Sequence, residues 1–206
     1  MRRILFSCAL AVIATAWPAS AQETAGAGRI EISAIPGGAI VFGSSSTGTE
    51  PKFGNYTVAG AFGWNFNRWI GLEGEVGGAV GVKQSLDFNG ETLVSQATPN
   101  LFAYNANAVF NPIGNDRAFV PYVTGGIGGL RMLQTDDVAN LGITAPTNYL
   151  TGNVGGGLKW FANRHWGARG DYRLMIVNDN TSAPGFFGRE ETRYGHRIYG
   201  GLLFTY

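Results

Sequence analysis

Hydrophobic and polar residues alternate with a period of two along most of the chain after residue 28. In the segment 53–66, for example, Val58, Phe62 and Trp64 alternate with small or polar residues. Such alternation is typical of β-strands with one apolar face, and no segment shows a convincing helical period of 3.6. The pattern predicts eight strands, near 29–42, 53–66, 69–82, 100–110, 118–133, 148–161, 166–177 and 192–206.

The first and fifth predicted strands alternate less cleanly than the other six. Pro36 interrupts the first strand, and the glycine-rich run 125–129 interrupts the fifth. Proline and glycine inside a strand often mark an edge or a bulge, where the side chains change face. The sequence therefore leaves the inner and outer faces of these two strands unassigned.

The connections between the predicted strands alternate in length. The short connections are 67–68, 111–117 and 162–165, and the long connections are 43–52, 83–99, 134–147 and 178–191. This rhythm is typical of a barrel in the bacterial outer membrane, with short periplasmic turns and longer outer loops. Tilted strands of ten or more residues are long enough to cross a bilayer. We therefore expect an all-β, antiparallel, up-and-down transmembrane barrel of eight strands.

Aromatic residues collect at both ends of the predicted strands. Beside the short turns are Trp64, Phe66, Trp69, Phe110, Phe119, Trp160, Phe161, Trp166, Phe204 and Tyr206. Towards the opposite end are Phe42, Phe53, Tyr56, Phe102, Tyr149 and Tyr194. Two such bands predict the interfacial girdles of a membrane barrel. The lumen of eight strands is narrow, so we expect the apolar face to point outward and the small and polar residues inward. A secreted lipocalin-like carrier, with these faces reversed, is the soluble alternative.

Residues 1–21 have the pattern of a secretory signal peptide. Arg2 and Arg3 precede an apolar stretch, and Pro18 leads into an A-x-A cleavage site that ends at Ala21. The apolar stretch is too short to span a bilayer as a helix. We expect Sec-type export, cleavage after Ala21 and a mature barrel domain at 22–206. Cleavage removes Cys8, the only cysteine, so the mature domain has no disulfide.

Composition excludes several other classes of protein. The 32 glycines follow no three-residue period, which excludes collagen, and 13% aromatic residues exclude a disordered chain. The formal net charge of +1 gives no electrostatic reason to expect nucleic-acid binding. The long connections carry three basic and eight acidic residues, and this negative charge disfavours direct contact with lipopolysaccharide phosphates unless divalent cations bridge them.

Three segments carry a resemblance to a known family. They are Phe119-Val-Pro-Tyr-Val-Thr-Gly-Gly-Ile-Gly128, the stretch from Asn153 through Arg164-His165-Trp166 to Arg173, and Tyr199-Gly-Gly-Leu-Leu-Phe-Thr-Tyr206. Together they resemble the OmpA/OmpX-like eight-stranded outer-membrane β-barrel family, over nearly all of the chain after residue 21. The resemblance implies contact with outer-membrane lipid and lipopolysaccharide. It also implies that Leu202, Phe204 and Tyr206 form the signal read by the barrel-assembly machinery. No peptidoglycan-binding domain follows the barrel, in contrast to full-length OmpA proteins.

Charged residues on the predicted inner face lie at similar heights. Glu73 and Glu75 are on the third strand, and Arg169, Asp171 and Arg173 are on the seventh, across an eight-stranded barrel. Unpaired charges in a narrow lumen cost several kcal/mol, roughly, so we expect these groups to pair. Lys159 and Arg197 can join them from neighbouring strands. The sequence predicts a salt-bridge plug, and a narrow diffusion pore with a charged lining is the alternative.

The sequence offers little for catalysis. His165 lies in a predicted periplasmic turn and His196 on the last strand, and neither belongs to a recognisable nucleophile arrangement. We therefore predict a protein that is not an enzyme and has no cofactor and no metal. A lipid-modifying outer-membrane enzyme is the less favoured alternative. The expected role is structural or one of loop-mediated interaction, with a surface partner that the sequence does not identify.

Overall fold

A computed structural model describes residues 28–206, and the predicted signal peptide and its cleavage site lie outside this range. In the described chain, eight long strands close into one antiparallel barrel in the order β1-β10-β9-β8-β7-β6-β3-β2. They are β1 (Ile30–Phe42), β2 (Phe53–Asn65), β3 (Ile70–Gly81), β6 (Leu101–Phe110), β7 (Phe119–Met132), β8 (Thr147–Phe161), β9 (Trp166–Val177) and β10 (Arg193–Thr205). The predicted fold and all eight predicted strands are confirmed.

Two of the long connections contain regular structure that the alternation did not predict. The connection after β3 forms a hairpin of β4 (Lys83–Phe88) and β5 (Glu91–Ala97). Gly90 turns this hairpin with φ 79°, a backbone conformation that favours glycine. The connection after β7 contains a short 3-10 helix, Asp136–Leu141. Both elements lie at the outer end of the barrel and help to cover its mouth.

The outer face of the barrel is apolar, as predicted. On β3, for example, Leu72, Val76 and Val80 each expose about half of their surface. Glu73 and Glu75, which alternate with such residues, are buried inside. A continuous apolar exterior around a closed sheet requires lipid, because it leaves no backbone edge and presents hydrocarbon outward. No helix in the described residues is long and apolar enough to span a membrane.

The aromatic girdles are only partly as predicted. All four described tryptophans are on the outside beside the short turns, and Tyr56, Phe102 and Tyr194 are on the outside at the opposite end. Phe42, Phe53, Tyr149 and Phe161 were expected in the girdles, and this is wrong, because each of them points into the barrel. Nearness to a strand end determines the height of a side chain, whereas its face depends on the phase of the alternation.

Pro36 explains why the first strand alternates poorly. Ala34 pairs with Leu202 of β10, whereas Gly37 pairs with Gly200, so β1 contains one extra residue. The pairing with β2 shifts over the same stretch. This bulge reverses the phase of the strand, so Ile35 points inward before it and Ile40 points inward after it.

Candidate functional site

The strongest concentration of charge in the described chain lies inside the barrel, where β3 faces β9. Glu73 receives two arginines from β9. Arg169 Nη1 lies 2.6 Å from Glu73 Oε2, and Arg173 Nη2 lies 2.7 Å from Glu73 Oε1. Each carboxylate oxygen thus has its own guanidinium partner, and the bonds cross the lumen between strands that are not neighbours in the sheet.

Glu75 extends the ion pairs towards the last strand. Arg197 Nη2 lies 2.5 Å from Glu75 Oε1, and the Tyr199 hydroxyl donates to Glu75 Oε2 over 2.8 Å. Arg173 Nη1 lies 3.4 Å from the same Oε2 atom. Arg173 therefore joins the two glutamates of β3 into one connected group.

Asp171 orients the arginines from their own strand. Arg169 donates to Asp171 Oδ2 through Nε and to Oδ1 through Nη2, each over 2.9 Å. Arg173 Nη2 lies 3.2 Å from Asp171 Oδ1. The Tyr122 hydroxyl donates to Asp171 and accepts a hydrogen bond from Arg169 Nη2 at 2.7 Å.

Lys159 joins the charges through a partner that the sequence analysis missed. Its Nζ atom lies 2.6 Å from Oε2 of Glu31 on β1, and Asn65 donates to Glu31 Oε1 over 2.8 Å. The Lys159 ammonium also lies 5.0 Å from the centre of the Tyr122 ring. Glu31 was missed because the bulge at Pro36 obscures the face of β1, and the glycine run similarly hid the inward Tyr122.

We call these eight side chains the lumen charge cluster. Its members are Glu31, Glu73, Glu75, Lys159, Arg169, Asp171, Arg173 and Arg197, and none of them is more than 6% exposed. Four are acidic and four are basic, so the formal charges of the cluster sum to zero. Burying ions is costly unless each is paired and hydrogen-bonded, and the cross-lumen geometry meets that requirement. The arrangement fills the middle of the barrel with fixed ion pairs.

A second layer closes the outer end of the lumen, and it is apolar. Phe42 and Phe53 pack against Phe186 and Phe187 of the connection 178–192, with ring centres 4.8 to 5.5 Å apart. Leu86 of β4 and Leu141 of the 3-10 helix belong to the same buried cluster. We call this cluster the apolar cap. The expectation that the inner face holds only small and polar residues is therefore wrong at the outer end, where loops fold back into the mouth.

A small cavity lies between the charge cluster and the apolar cap. Its volume is 20 Å³, and Arg197, Tyr199, Ile40 and Leu101 are among the residues that line it. A cavity of this size has room for about one water molecule. The described lumen therefore contains no continuous channel at this level.

The outer connections are tied together by a buried ion pair. Arg193, at the start of β10, contacts the Glu50 carboxylate, and both side chains are at most 2% exposed. Glu50 also accepts hydrogen bonds from the backbone N–H groups of Gly188 over 2.7 Å and Arg189 over 2.9 Å. The sequence analysis counted Glu50 among the loop charges, but the loops bury it.

The two histidines do not build a catalytic centre. His196 is on the outer wall of the barrel, where its Nδ1 atom lies 2.7 Å from the Tyr172 hydroxyl. His165 is in the exposed turn before β9 and stacks on Phe204. Within residues 28–206, no group of three or more histidine, cysteine or acidic side chains is arranged to hold a metal ion.

The residues of the predicted assembly signal are on the outside of the barrel, at its closing seam. Leu202 and Tyr206 are 60% and 80% exposed. Phe204 packs edge-on against Trp166, with ring centres 5.1 Å apart. Ile30 and Tyr206 exchange two backbone hydrogen bonds of 2.9 Å each, so the end of the chain joins β1.

The fold occurs in several solved membrane barrels. Neisserial surface protein A has a TM-score of 0.59 and 13% identity, and the match covers 88% of this chain and 99% of that one. OprG from Pseudomonas aeruginosa has a TM-score of 0.50 and 15% identity, with coverage of 89% and 98%. No curated protein sequence matches the chain.

One sequence family matches most of the chain. The outer membrane protein beta-barrel domain matches residues 6–192, and the matched region includes seven barrel strands and the outer connections. The apolar exterior, the closed eight-stranded sheet and the short turns at one end agree with this match. The chain belongs to the outer membrane protein beta-barrel domain family and is a protein of the outer membrane.

Proposed function

We propose that this protein is a closed barrel whose lumen is plugged by ion pairs and whose role is carried by its outer loops. The observation that carries the proposal is the bridging of Arg169 and Arg173 by Glu73 across the lumen. Fixed charges with fixed partners leave no mobile lining for ions to follow. The apolar cap adds a second barrier at the outer mouth.

Single-channel recording in planar bilayers tests the plug. We expect the reconstituted protein to give little or no steady conductance, because the charge cluster and the cap both block the lumen. Heat-modifiable migration on gels verifies that the reconstituted protein is folded. Large, regular openings would contradict the plug and favour the narrow diffusion pore.

The loop-mediated role rests on how the outer end is organised. The connection 43–52, the hairpin β4–β5, the 3-10 helix and the connection 178–192 pack into one ordered surface above the membrane. Ordered loops on a rigid barrel are a common platform for binding a partner. Exposed acidic residues such as Asp87 and Asp179 favour contact with lipopolysaccharide through bridging divalent cations. We expect chelation to release lipopolysaccharide from the purified protein, and chelator-resistant binding would contradict this contact.

Two alternatives are less well supported. The lipocalin-like carrier is wrong, because the apolar face points outward and the protein belongs to the outer membrane. A lipid-modifying enzyme is disfavoured, since His196 is paired with Tyr172 on the outer wall without a nucleophile or a carboxylate in that pair. Retained lipid-modifying activity in the purified protein, lost on H196A substitution, would overturn the non-enzymatic role.

The route to the membrane completes the proposal. Residues 1–21 direct Sec-type export and are removed after Ala21, which leaves the barrel domain 22–206. Leu202, Phe204 and Tyr206 then engage the barrel-assembly machinery. N-terminal sequencing of the mature protein tests the cleavage, and a start well before or after Gln22 would contradict it.

A further inference from the structure

The turn end of the barrel has a different charge from the loop end. Four exposed arginines surround it, namely Arg29, Arg68, Arg117 and Arg164. The described turns 66–69, 111–118 and 162–165 contain a single acidic side chain, Asp116. The outer connections are acidic overall, so the two ends of the molecule present opposite charge to the two sides of the membrane.

Two of these arginines border a recess of 440 Å³ beside the turn between β2 and β3. Arg29 and Arg68 line it together with Asn67 and the ring of Phe66. Backbone hydrogen bonds fix both arginines, because the Arg29 carbonyl accepts from Asn65 over 2.9 Å and the Arg68 carbonyl accepts from Asn115 over 2.8 Å. The recess therefore has a defined shape and two guanidinium groups at its rim.

Girdle tryptophans place these guanidinium groups at the membrane interface. The Arg29 guanidinium carbon lies 5.7 Å from the centre of the Trp64 ring, and that of Arg68 lies 4.5 Å from the centre of the Trp69 ring. Tryptophan in barrels is enriched at the headgroup level of the bilayer. Phe66 is 53% exposed beside them, which adds an apolar surface next to the positive groups.

We propose that this recess binds the headgroup of an anionic phospholipid from the periplasmic leaflet. Arg29 and Arg68 contact the lipid phosphate, which guanidinium groups recognise through paired N–H donors. The acyl chains lie along Trp64 and Phe66, below the recess. Inorganic phosphate would satisfy the same donors, but it would leave the exposed Phe66 ring without a partner. The position of Arg68 Nη1 3.4 Å from Asp116 Oδ2 means that Asp116 competes with the lipid for this arginine.

Tryptophan fluorescence quenching measures the proposed binding. The full protein is reconstituted into phosphatidylcholine vesicles that contain increasing fractions of brominated phosphatidylglycerol, and brominated phosphatidylcholine serves as the reference lipid. Trp64 and Trp69 are within contact distance of the arginines, so a bound lipid quenches them. We expect a clear preference for phosphatidylglycerol, which falls by about tenfold in the R29Q/R68Q variant because two charges near the headgroups are lost.

The R117Q/R164Q variant is the matched control, because it removes two exposed arginines from the same end outside the recess. We expect it to retain the preference within about twofold. The D116N variant should strengthen the preference several-fold, since it frees Arg68. Equal losses in both double variants, no preference in the unaltered protein, or displacement of the lipid by excess inorganic phosphate would each overturn the proposal.

Discussion

Arg193 and Glu50 form a buried ion pair that joins the first and last outer connections of the barrel. Glu50 immediately precedes Pro51 and the start of β2, and Arg193 is the first residue of β10. Arg193 also donates to the backbone carbonyls of Gly43 and Pro51, so a single guanidinium holds both ends of the connection 43–52. The pair lies beside the apolar cap, since the Arg193 guanidinium carbon is 5.1 Å from the centre of the Phe187 ring.

Replacing Glu50 with glutamine should loosen the outer loops. Arg193 loses its charged partner in a buried site, and breaking such a pair typically costs about 3–5 kcal/mol. The connection 178–192 should become sensitive to protease while the barrel itself remains resistant. The control is E190Q at an exposed site, for which we expect a change in unfolding free energy of about 0–1 kcal/mol. Equal protease sensitivity in the two variants would contradict the role of Glu50.

Replacing Glu73 with glutamine should destabilise the barrel from inside. Arg169 and Arg173 both lose a carboxylate at 2.6 to 2.7 Å, so the unfolding free energy in detergent should fall by at least about 3–5 kcal/mol. Urea titration followed by gel migration measures the change. The E91Q variant, at an exposed position in the hairpin, should behave like the unaltered protein. A pore would respond to E73Q with altered ion selectivity and nearly unchanged stability.

Gly155 makes room for the charge cluster, and alanine at this position should be costly. A Cβ atom there would meet the Tyr172 carbonyl oxygen at 2.2 Å and the Arg173 Cα atom at 2.8 Å. Backbone must shift to relieve such contacts, and overpacking typically costs about 1–3 kcal/mol. At Gly74 of β3 a Cβ atom would have no neighbour within 4 Å, so G74A is the matched control. If G155A and G74A unfold at the same urea concentration, the close approach at β8 and β9 is wrong.

Deleting residues 203–206 should stop insertion of the barrel. The deletion removes the pairs Leu203–Ser33, Phe204–Ile32 and Thr205–Glu31 at the seam between β10 and β1. Backbone groups that lose their partners in lipid each cost several kcal/mol, roughly, and the predicted assembly signal is lost as well. Membrane fractionation and heat-modifiability measure insertion. An F204L/Y206F variant keeps the seam and should insert, whereas normal insertion of the shortened chain would refute the prediction.

Acid should release one contact between the outer loops. The backbone N–H of Ser46 donates to the Glu191 carboxylate over 2.7 Å, and the Ser46 hydroxyl also donates to it. These hydrogen bonds hold the pKa of Glu191 below its usual value. A carboxyl with a lowered pKa in the folded state stabilises it above the unfolded pKa of about 4.3, and this contribution is lost as pH falls through the folded pKa.

Hydrogen exchange at the Ser46 amide measures that contact. We expect slow exchange at neutral pH and, after correction for the intrinsic rate, faster exchange in acid below about pH 4. The E191Q variant should show fast corrected exchange at neutral pH and no further acid dependence. A native Ser46 amide with corrected exchange that is independent of pH would contradict the tether.

Period-two alternation and strand geometry were enough to predict the barrel and most of its charged interior. Glu73 and Arg173 were assigned correctly to the inside, because their strands alternate without interruption and face each other across eight strands. The alternation failed for Glu31, since a one-residue bulge reverses the face of β1 within a single strand. It also did not reveal how Lys159 is neutralised, because that depends on Glu31.

The loops carry no comparable signal in the sequence. Phe186 and Phe187 fall in a stretch without periodicity, yet they supply the centre of the apolar cap. Their burial depends on Glu50, which is distant in the chain and accepts the N–H groups of Gly188 and Arg189. Contacts of this kind arise from tertiary folding of the loops, and local patterns of hydrophobicity do not encode them.

The extra residue at Pro36 gives barrel closure a registration mark. β1 is the strand on which the sheet closes, with β2 on one side and β10 on the other. A slip by two residues against β10 would preserve the faces of a regular strand, but here it would displace the bulge from the position where both neighbours accommodate it. The Tyr56 hydroxyl donates to the Pro36 carbonyl over 2.6 Å and so recognises the bulge only in the native alignment. The strand with the weakest alternation is therefore the one that distinguishes correct closure from near misses.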